Sequence, residues 1–294
     1  MEGSIGNVFV VGIDGSDGSH NAFELVTKDL HRTGLDKTIV VHIYNSKKEH
    51  ELGVQYHSKT IYNRYAEELK CLKQEDYEII FEDRKENENV FEQINSIAES
   101  KNATLLVVGF RGYKGTKNRP DELSKSITYL VHKPSIPVLV VKEKTSRSFR
   151  VEGKFKWLLA LENAESKSFK AMKSMLRYVD GENDIVHGLT VDTSLKDTEG
   201  QKDDKNAVKK AFEDEMKKFE IKNNDFTIIH QQDKTENLHD LIIRWVNEHL
   251  SNENHWIDFV VLGYNPQKYA FDKNAENTTV DILKKTSLNV YFDH

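Results

Sequence analysis

Residues 8–25 read VFVVGIDGSDGSHNAFEL, and residues 105–115 read LLVVGFRGYKG, followed at 124–141 by SKSITYLVHKPSIPVLVV. The first stretch is a continuous apolar strand, an Asp14-Gly15-Ser16 turn and the start of an amphipathic helix. The second is another apolar strand opening into a Gly109-x-x-Gly112 loop, then a basic linker, a helix and a final strand. Loops at the carboxyl ends of parallel strands are where open α/β sheets put ligands. Glycines there let backbone N–H groups approach a phosphate, and a following helix N-terminus favours its charge. The pattern points to a nucleotide pocket.

Outward from these two stretches, strand and helix patterns alternate. Strands are expected at Val8–Ile13, Thr38–Tyr44, Tyr77–Phe81, Leu105–Val108 and Val138–Val141. Between them, apolar residues recur at helical spacing: Ala22, Phe23, Val26 and Leu30; Ile61, Tyr65, Leu69 and Leu72; Val90, Phe91, Ile94, Ile97 and Ala98; and the stretch Ser126–His132. Strands that read as apolar runs instead of alternating are buried on both faces, which means a parallel sheet covered by helices. The second half replays the order, with strands at Trp157–Leu161, Asp184–Val191, Phe226–Ile229, Phe259–Leu262 and Leu288–Phe292. His187 matches His42 in a shared Ile-Val-His lettering, and Gly263 stands where Gly109 does. The expectation is a tandem duplication, domains 1–146 and 147–294, with the boundary near Lys144–Lys154. The polar run Thr193–Asn206 reads as a solvated loop ahead of a helix.

A chain of 294 residues suits two ordinary domains. Its net charge of -6 argues against a general grip on nucleic acid. One cysteine, Cys71, excludes an intrachain disulfide and fits a reducing compartment. The N-terminus shows no signal-peptide pattern, and the apolar stretches fall short of the ~20 residues of a membrane span. The expectation is a soluble, cytoplasmic protein that binds neither membrane nor nucleic acid.

Each half resembles a universal stress protein domain, and the chain resembles a tandem pair of them. The resemblance rests on the Asp after strand one, the Gly-x-x-Gly after strand four and the Pro-Val-Leu-Val-Val closing strand, all in the first half. It implies two five-stranded parallel α/β sandwiches with helices on both faces, of the adenine nucleotide alpha hydrolase-like kind. It also implies binding of ATP or AMP, with a magnesium ion as companion. Carried over residue by residue, Asp14 would accept a ribose hydroxyl or hold a water on magnesium, and Ile13 and Ile43 would wall the adenine. Gly109 and Gly112 would face the phosphates. The family's Gly-Ser-Val-Ser/Thr element falls on Lys125, Ser126, Ile127 and Thr128. A lysine there replaces a glycine whose lack of a Cβ allows close phosphate approach. Arg111, Lys114, Lys117, Arg119 and Lys125 are candidates to supply a charged contact instead, or form an ordinary wet loop. Equally, Gly109 and Gly112 could serve only a tight turn and Asp14 only a cap.

The second half departs further, with Glu162-Asn163-Ala164 in place of Asp-x-Ser and Pro266 in place of the second glycine. Asn277–Val280 replaces the Gly-Ser element. A longer acid, a lost N–H and added side chains oppose a phosphate cradle, so this half reads as structural. The twelve histidines make no metal-ligand spacing, His249 and His255 read as surface residues, and Ser16, Ser19 and His20 make no catalytic triad. Trp245 and Trp256 suit packing. Three functions stay open: a nucleotide-binding regulatory module, a ligand-free scaffold or assembly subunit, and a slow ATPase for which no base stands out. The fifth strand is the family's pairing edge, so the two domains could satisfy each other, or Val138–Val141 could pair two chains or a larger assembly.

Overall fold

Phe9, Val10 and Val11 have no exposed surface, and neither do Leu105, Leu106 and Val107 or Val138 and Val140. These runs form three of the five strands of the first unit in a computed structural model. The model describes residues 6–112, 125–132, 135–150, 152–161, 167–192, 199–230, 238–250, 256–263 and 278–293. The chain divides into two compact units, Met1–Ser146 and Arg147–His294.

The first unit runs β1 (Val8–Gly12), α1 (Asp17–Leu25), β2 (Lys37–Tyr44), α2 (Ser58–Glu68), β3 (Tyr77–Asp83), α3 (Val90–Ser100), β4 (Leu105–Gly109), α4 (Lys125–His132) and β5 (Val138–Val141). All strand pairs are parallel, in the order β3-β2-β1-β4-β5. The order reverses between β1 and β4, which opens a crevice at their carboxyl ends. Ser16 caps α1, accepting from the Ser19 amide at 3.3 Å. Helix α1 then runs on into a π-helical turn, Val26–Leu30. Asn89 and Glu92 form a reciprocal capping box at the start of α3.

The second unit runs β6 (Lys156–Leu161), α5 (Lys167–Met175), β7 (Ile185–Asp192), α6 (Glu199–Lys218), β8 (Asn223–His230), α7 (Leu238–Leu250), β9 (Phe259–Gly263), α8 (Thr278–Lys285) and β10 (Asn289–Asp293). Its strands are again parallel, in the order β8-β7-β6-β9-β10. Both units are therefore the α/β, parallel-sheet fold expected from the apolar runs.

A buried carboxylate shows the repeat at atomic detail. Asp36 accepts from the Asn7 amide at 2.7 Å and the Arg32 amide at 3.0 Å. Asp184, at the equivalent place in the second unit, accepts from the Phe155 amide at 2.9 Å and the Asp180 amide at 2.9 Å. Each is also paired with a guanidinium, Arg32 on Asp36 and Arg147 on Asp184. Each carboxylate ties the start of its unit's first strand to the turn before the second.

Three expectations need correction. Glu199–Asn206 are the first turns of α6, not loop. A polar run is compatible with helix because Glu, Gln and Lys are good helix formers. Strand β8 begins at Asn223, three residues before the apolar stretch, because it pairs on one side only and its start can be polar. The His42–His187 match is out of register. His187 pairs with Leu158 as Ile39 pairs with Val10, so it stands three positions before the place of His42. His187 packs against Trp245 with ring centroids 4.8 Å apart and meets Thr227 at 3.0 Å. Cys71 is exposed on a short 3₁₀ turn. None of the helices among the described residues is long and apolar enough to cross a membrane.

Candidate functional site

At the end of β1 the chain leaves the sheet through Ile13, whose amide still donates to Val41 O at 2.9 Å. Asp14 follows and turns its carboxylate toward α1. Its Oδ1 accepts from the Ser16 amide at 3.0 Å and the Ser16 hydroxyl at 2.5 Å. Its own amide donates to the Ser19 hydroxyl at 3.2 Å, and that hydroxyl donates to Ser16 O at 2.9 Å. The first turn of α1 is thus folded around Asp14, a geometry that short polar side chains favour.

The Gly-x-x-Gly loop closes on the same turn. A Cβ on Gly109 would lie 2.4 Å from the carbonyl carbon of Gly18 and 2.6 Å from the Ser19 amide nitrogen. A Cβ on Gly112 would lie 2.4 Å from Asp14 Oδ2. The first glycine lets α1 touch β4 backbone to backbone, and the second leaves room for the Asp14 carboxylate. The second unit keeps the first of these approaches, since a Cβ on Gly263 would lie 2.2 Å from the Ser168 amide nitrogen.

Beside this junction lies a cavity of about 440 Å³, within the size range of small-ligand sites. Ile13, Asp14, Ile43, Gly109, Gly112 and Ile127 all line it. Thr128 is half-buried on α4 and does not. Lys125 and Ser126 form the first turn of α4, and their side chains lie outside the described residues, as do Lys114, Lys117 and Arg119. Arg111 is exposed and lines the cavity. Glu162–Ala164, Pro266 and Asn277 of the second unit lie outside the described residues.

The cavity has a second wall that the motifs do not mark. The segment between β2 and α2 makes two 3₁₀ turns, Glu49–Glu51 and Val54–Tyr56, and brings Glu49, Leu52 and Tyr56 to the lining. The segment is anchored at both ends. The Ser46 amide donates to Asp83 at 3.1 Å, and the Ser58 amide donates to Glu49. That amide holds the Glu49 carboxyl below the usual carboxylate range. On the other side Phe91 and Ile94 of α3 complete an apolar floor, and Lys48 and Arg84 bring cations to the lining. These residues come from four separate elements, so no local spacing could have collected them.

His42 is the other residue the motifs missed. It is 5% exposed and lines the cavity. Its Nδ1 sits 2.8 Å from the Ile13 carbonyl oxygen. A carbonyl only accepts, so Nδ1 carries the proton. Burial pushes the imidazole pKa down, and the bond to Ile13 with the Asp14 and Glu49 charges only partly opposes this. The ring is neutral, packed 5.0 Å from Phe81 and 6.2 Å from Tyr44 between centroids. Its Nε2 is buried without a hydrogen-bond partner.

Residues 7–142 match the model of the universal stress protein family. The first unit is thus a universal stress protein domain. By sequence, no curated protein matches. Among solved structures, a universal stress protein from Archaeoglobus fulgidus DSM 4304 is similar over 99% of this chain and 98% of its own, with 16% identity and a TM-score of 0.61. A functionally unknown protein from Pseudomonas aeruginosa PAO1 is similar over 98% of this chain and 92% of its own, with 11% identity and a TM-score of 0.63. At these identities the likeness is one of fold, and it extends the universal stress protein fold over both units.

Proposed function

We propose that the first unit is an adenine-nucleotide-binding regulatory module, taking ATP or AMP, with the second unit (147–294) as its structural companion. The carrying observation is the convergence of Ile13, Asp14, Ile43, Gly109, Gly112 and Ile127 on one cavity at the carboxyl ends of β1, β2 and β4. In this reading the base lies against Ile13 and Ile43, and a ribose hydroxyl meets Asp14. The phosphates run toward the Gly109–Gly112 loop, the Arg111 guanidinium and the first turn of α4 at Lys125, Ser126 and Ile127, since the start of a helix favours negative charge. Thr128 would act from the next position of that helix. Among the described residues no three His, Cys, Asp or Glu side chains gather as a metal site. A magnesium ion would ride on the phosphates, with Asp14 reaching it through water.

One observation favours the rival reading of a ligand-free scaffold. Asp14 Oδ1 is already occupied by Ser16, the arrangement of a plain capping residue. Thermal unfolding with Mg-ATP, AMP and tripolyphosphate separates the two. A ligand at ~100 times its dissociation constant adds about 2.7 kcal/mol to the unit that binds it. A shift with ATP or AMP but not tripolyphosphate supports the module. No shift with any of them leaves the scaffold.

A further inference from the structure

Residues 45–57 pass from β2 to α2 by a longer route than the join needs. Strand-to-helix connections usually take about 2–6 residues, and here residues 13–16 join β1 to α1 and residues 84–89 join β3 to α3. The extra length goes to the cavity, which Asn45, Lys48, Glu49, Glu51, Leu52 and Tyr56 all line. The turns of the segment are closed by their own hydrogen bonds. The Lys48 amide donates to Asn45 O at 3.0 Å, the Leu52 amide to Glu49 O at 3.0 Å and the Tyr56 amide to Gly53 O at 2.8 Å. His57 Nε2 lies 3.1 Å from Leu52 O. The segment can therefore swing as one piece with these bonds intact, and opening costs only the contacts it makes with its surroundings. At the β2 end Asp83 accepts from both the amide and the hydroxyl of Ser46. Both bonds fall where the segment would hinge, so a swing that turns the Ser46 backbone breaks them. At the other end a Cβ on Gly15 would lie 3.3 Å from Tyr56 Cδ1, which places the ring edge beside the turn that carries Asp14.

We propose that residues 46–57 are a lid on the cavity, pinned shut at Ser46 by Asp83, that swings open to admit a ligand and closes on it. The ligand admitted rests on the nucleotide reading above, whereas the motion needs no ligand. Lids of this kind set how fast a ligand enters and leaves, and their hinges lie away from the groups that touch it. Asp83 and Ser46 fit that description, since both are exposed and neither lines the cavity. The pin acts on the closed lid with or without a ligand beneath it, so it slows entry and exit together and leaves the affinity nearly unchanged.

The test has a ligand-free arm and a ligand arm, both on the full chain. Spin labels at Val54→Cys and Ser96→Cys, in a Cys71→Ser background, report the distance from the outer turn of the lid to α3; Val54 and Ser96 are both exposed. Asp83→Ala removes the pin and should add a displaced population to the distance distribution, and Ser46→Ala, which loses one of the two bonds, should add a smaller one. In the ligand arm, NMR line shapes in a titration with AMP give the dissociation constant and the rate constant for release. Asp83→Ala should raise the rate constants for binding and release together, by roughly twofold to tenfold, the range of an exposed hydrogen bond to a charged group. A merely structural role would weaken binding through faster release alone, and that result overturns the lid. An unchanged distance distribution in Asp83→Ala also overturns it, whatever binds. A displaced population in a protein whose wild type does not bind AMP upholds the lid and overturns the nucleotide reading.

Discussion

Alanine at Gly109 and valine at Gly112 should damage the first unit in opposite ways. The nearest atoms to a Cβ on Gly109 are the Gly18 carbonyl carbon and oxygen, at 2.4 and 2.6 Å, and the Ser19 amide nitrogen at 2.6 Å. All belong to backbone, so relief requires moving α1 off β4, and those two elements are packed along their length. Overpacking costs about 1–3 kcal/mol, and a backbone clash belongs at the upper end. For a unit of this size each kcal/mol lowers Tm by roughly 2–4 °C, so Gly109→Ala should lose about 6–12 °C. At Gly112 the contact is the tip of a side chain, Asp14 Oδ2 at 2.4 Å. Asp14 can rotate away, so Gly112→Val should shift Tm by little while abolishing nucleotide binding. The assay exploits the tryptophans Trp157, Trp245 and Trp256, which all lie in the second unit. Their fluorescence reports that unit, and the calorimetric transition it does not follow belongs to the first. A Gly109→Ala protein as stable as wild type would refute the packing argument. Normal ATP binding by Gly112→Val would refute the pocket.

The buried carboxylates should be separable by unit. Asp36→Ala strands the Asn7 amide at a cost of about 1–3 kcal/mol and should lower only the calorimetric transition silent in tryptophan fluorescence, whereas Asp184→Ala should lower the fluorescent one. Acid should weaken the first unit in two stages. Burial holds the His31 and His42 pKa values below the usual 6.5, so the unfolded chain binds more protons and stability falls as pH drops below about 6.5. His31→Asn with His42→Asn should flatten that stage in denaturation midpoints measured from pH 7 to 5. For Asp36, burial raises the carboxyl pKa, but Arg32 and the Asn7 and Arg32 amides outweigh it and leave it depressed. Its contribution is present above the ordinary carboxylate range and is lost at lower pH, as the carboxyl protonates, and Asp36→Asn should remove this second stage.

Continuous apolar runs such as Phe9–Val11 and Leu105–Val108 declared a parallel sheet because nothing in them alternates. The repeat was legible from the order of elements, yet its strongest atomic sign, the Asp36 and Asp184 brackets, was not. An aspartate before a strand gives no hint that it will bind an amide twenty-nine residues away in sequence. Lettering misled at His187, because strands built from Val and Ile look alike at several registers and only hydrogen bonding fixes one. Polarity misled at Glu199–Asn206, where solvated helix and loop share a composition. In the cavity, residues adjacent to the motifs were legible, whereas Glu49, Phe91 and His42 were not. Their role comes from the 3₁₀ turns after β2, the packing of α3 and the carbonyl of Ile13, all of them contacts made across the fold.

The most direct test of a nucleotide cavity in the first unit is a methyl-resolved NMR titration of isoleucine-labelled protein with AMP. Ile13, Ile43, Ile94 and Ile127 line the cavity, while Ile221, Ile242 and Ile282 are buried in the second unit. Saturable shifts in the first four methyls, with the other three unmoved, are the predicted result. Shifts confined to the second unit, or none at saturating AMP, would contradict it.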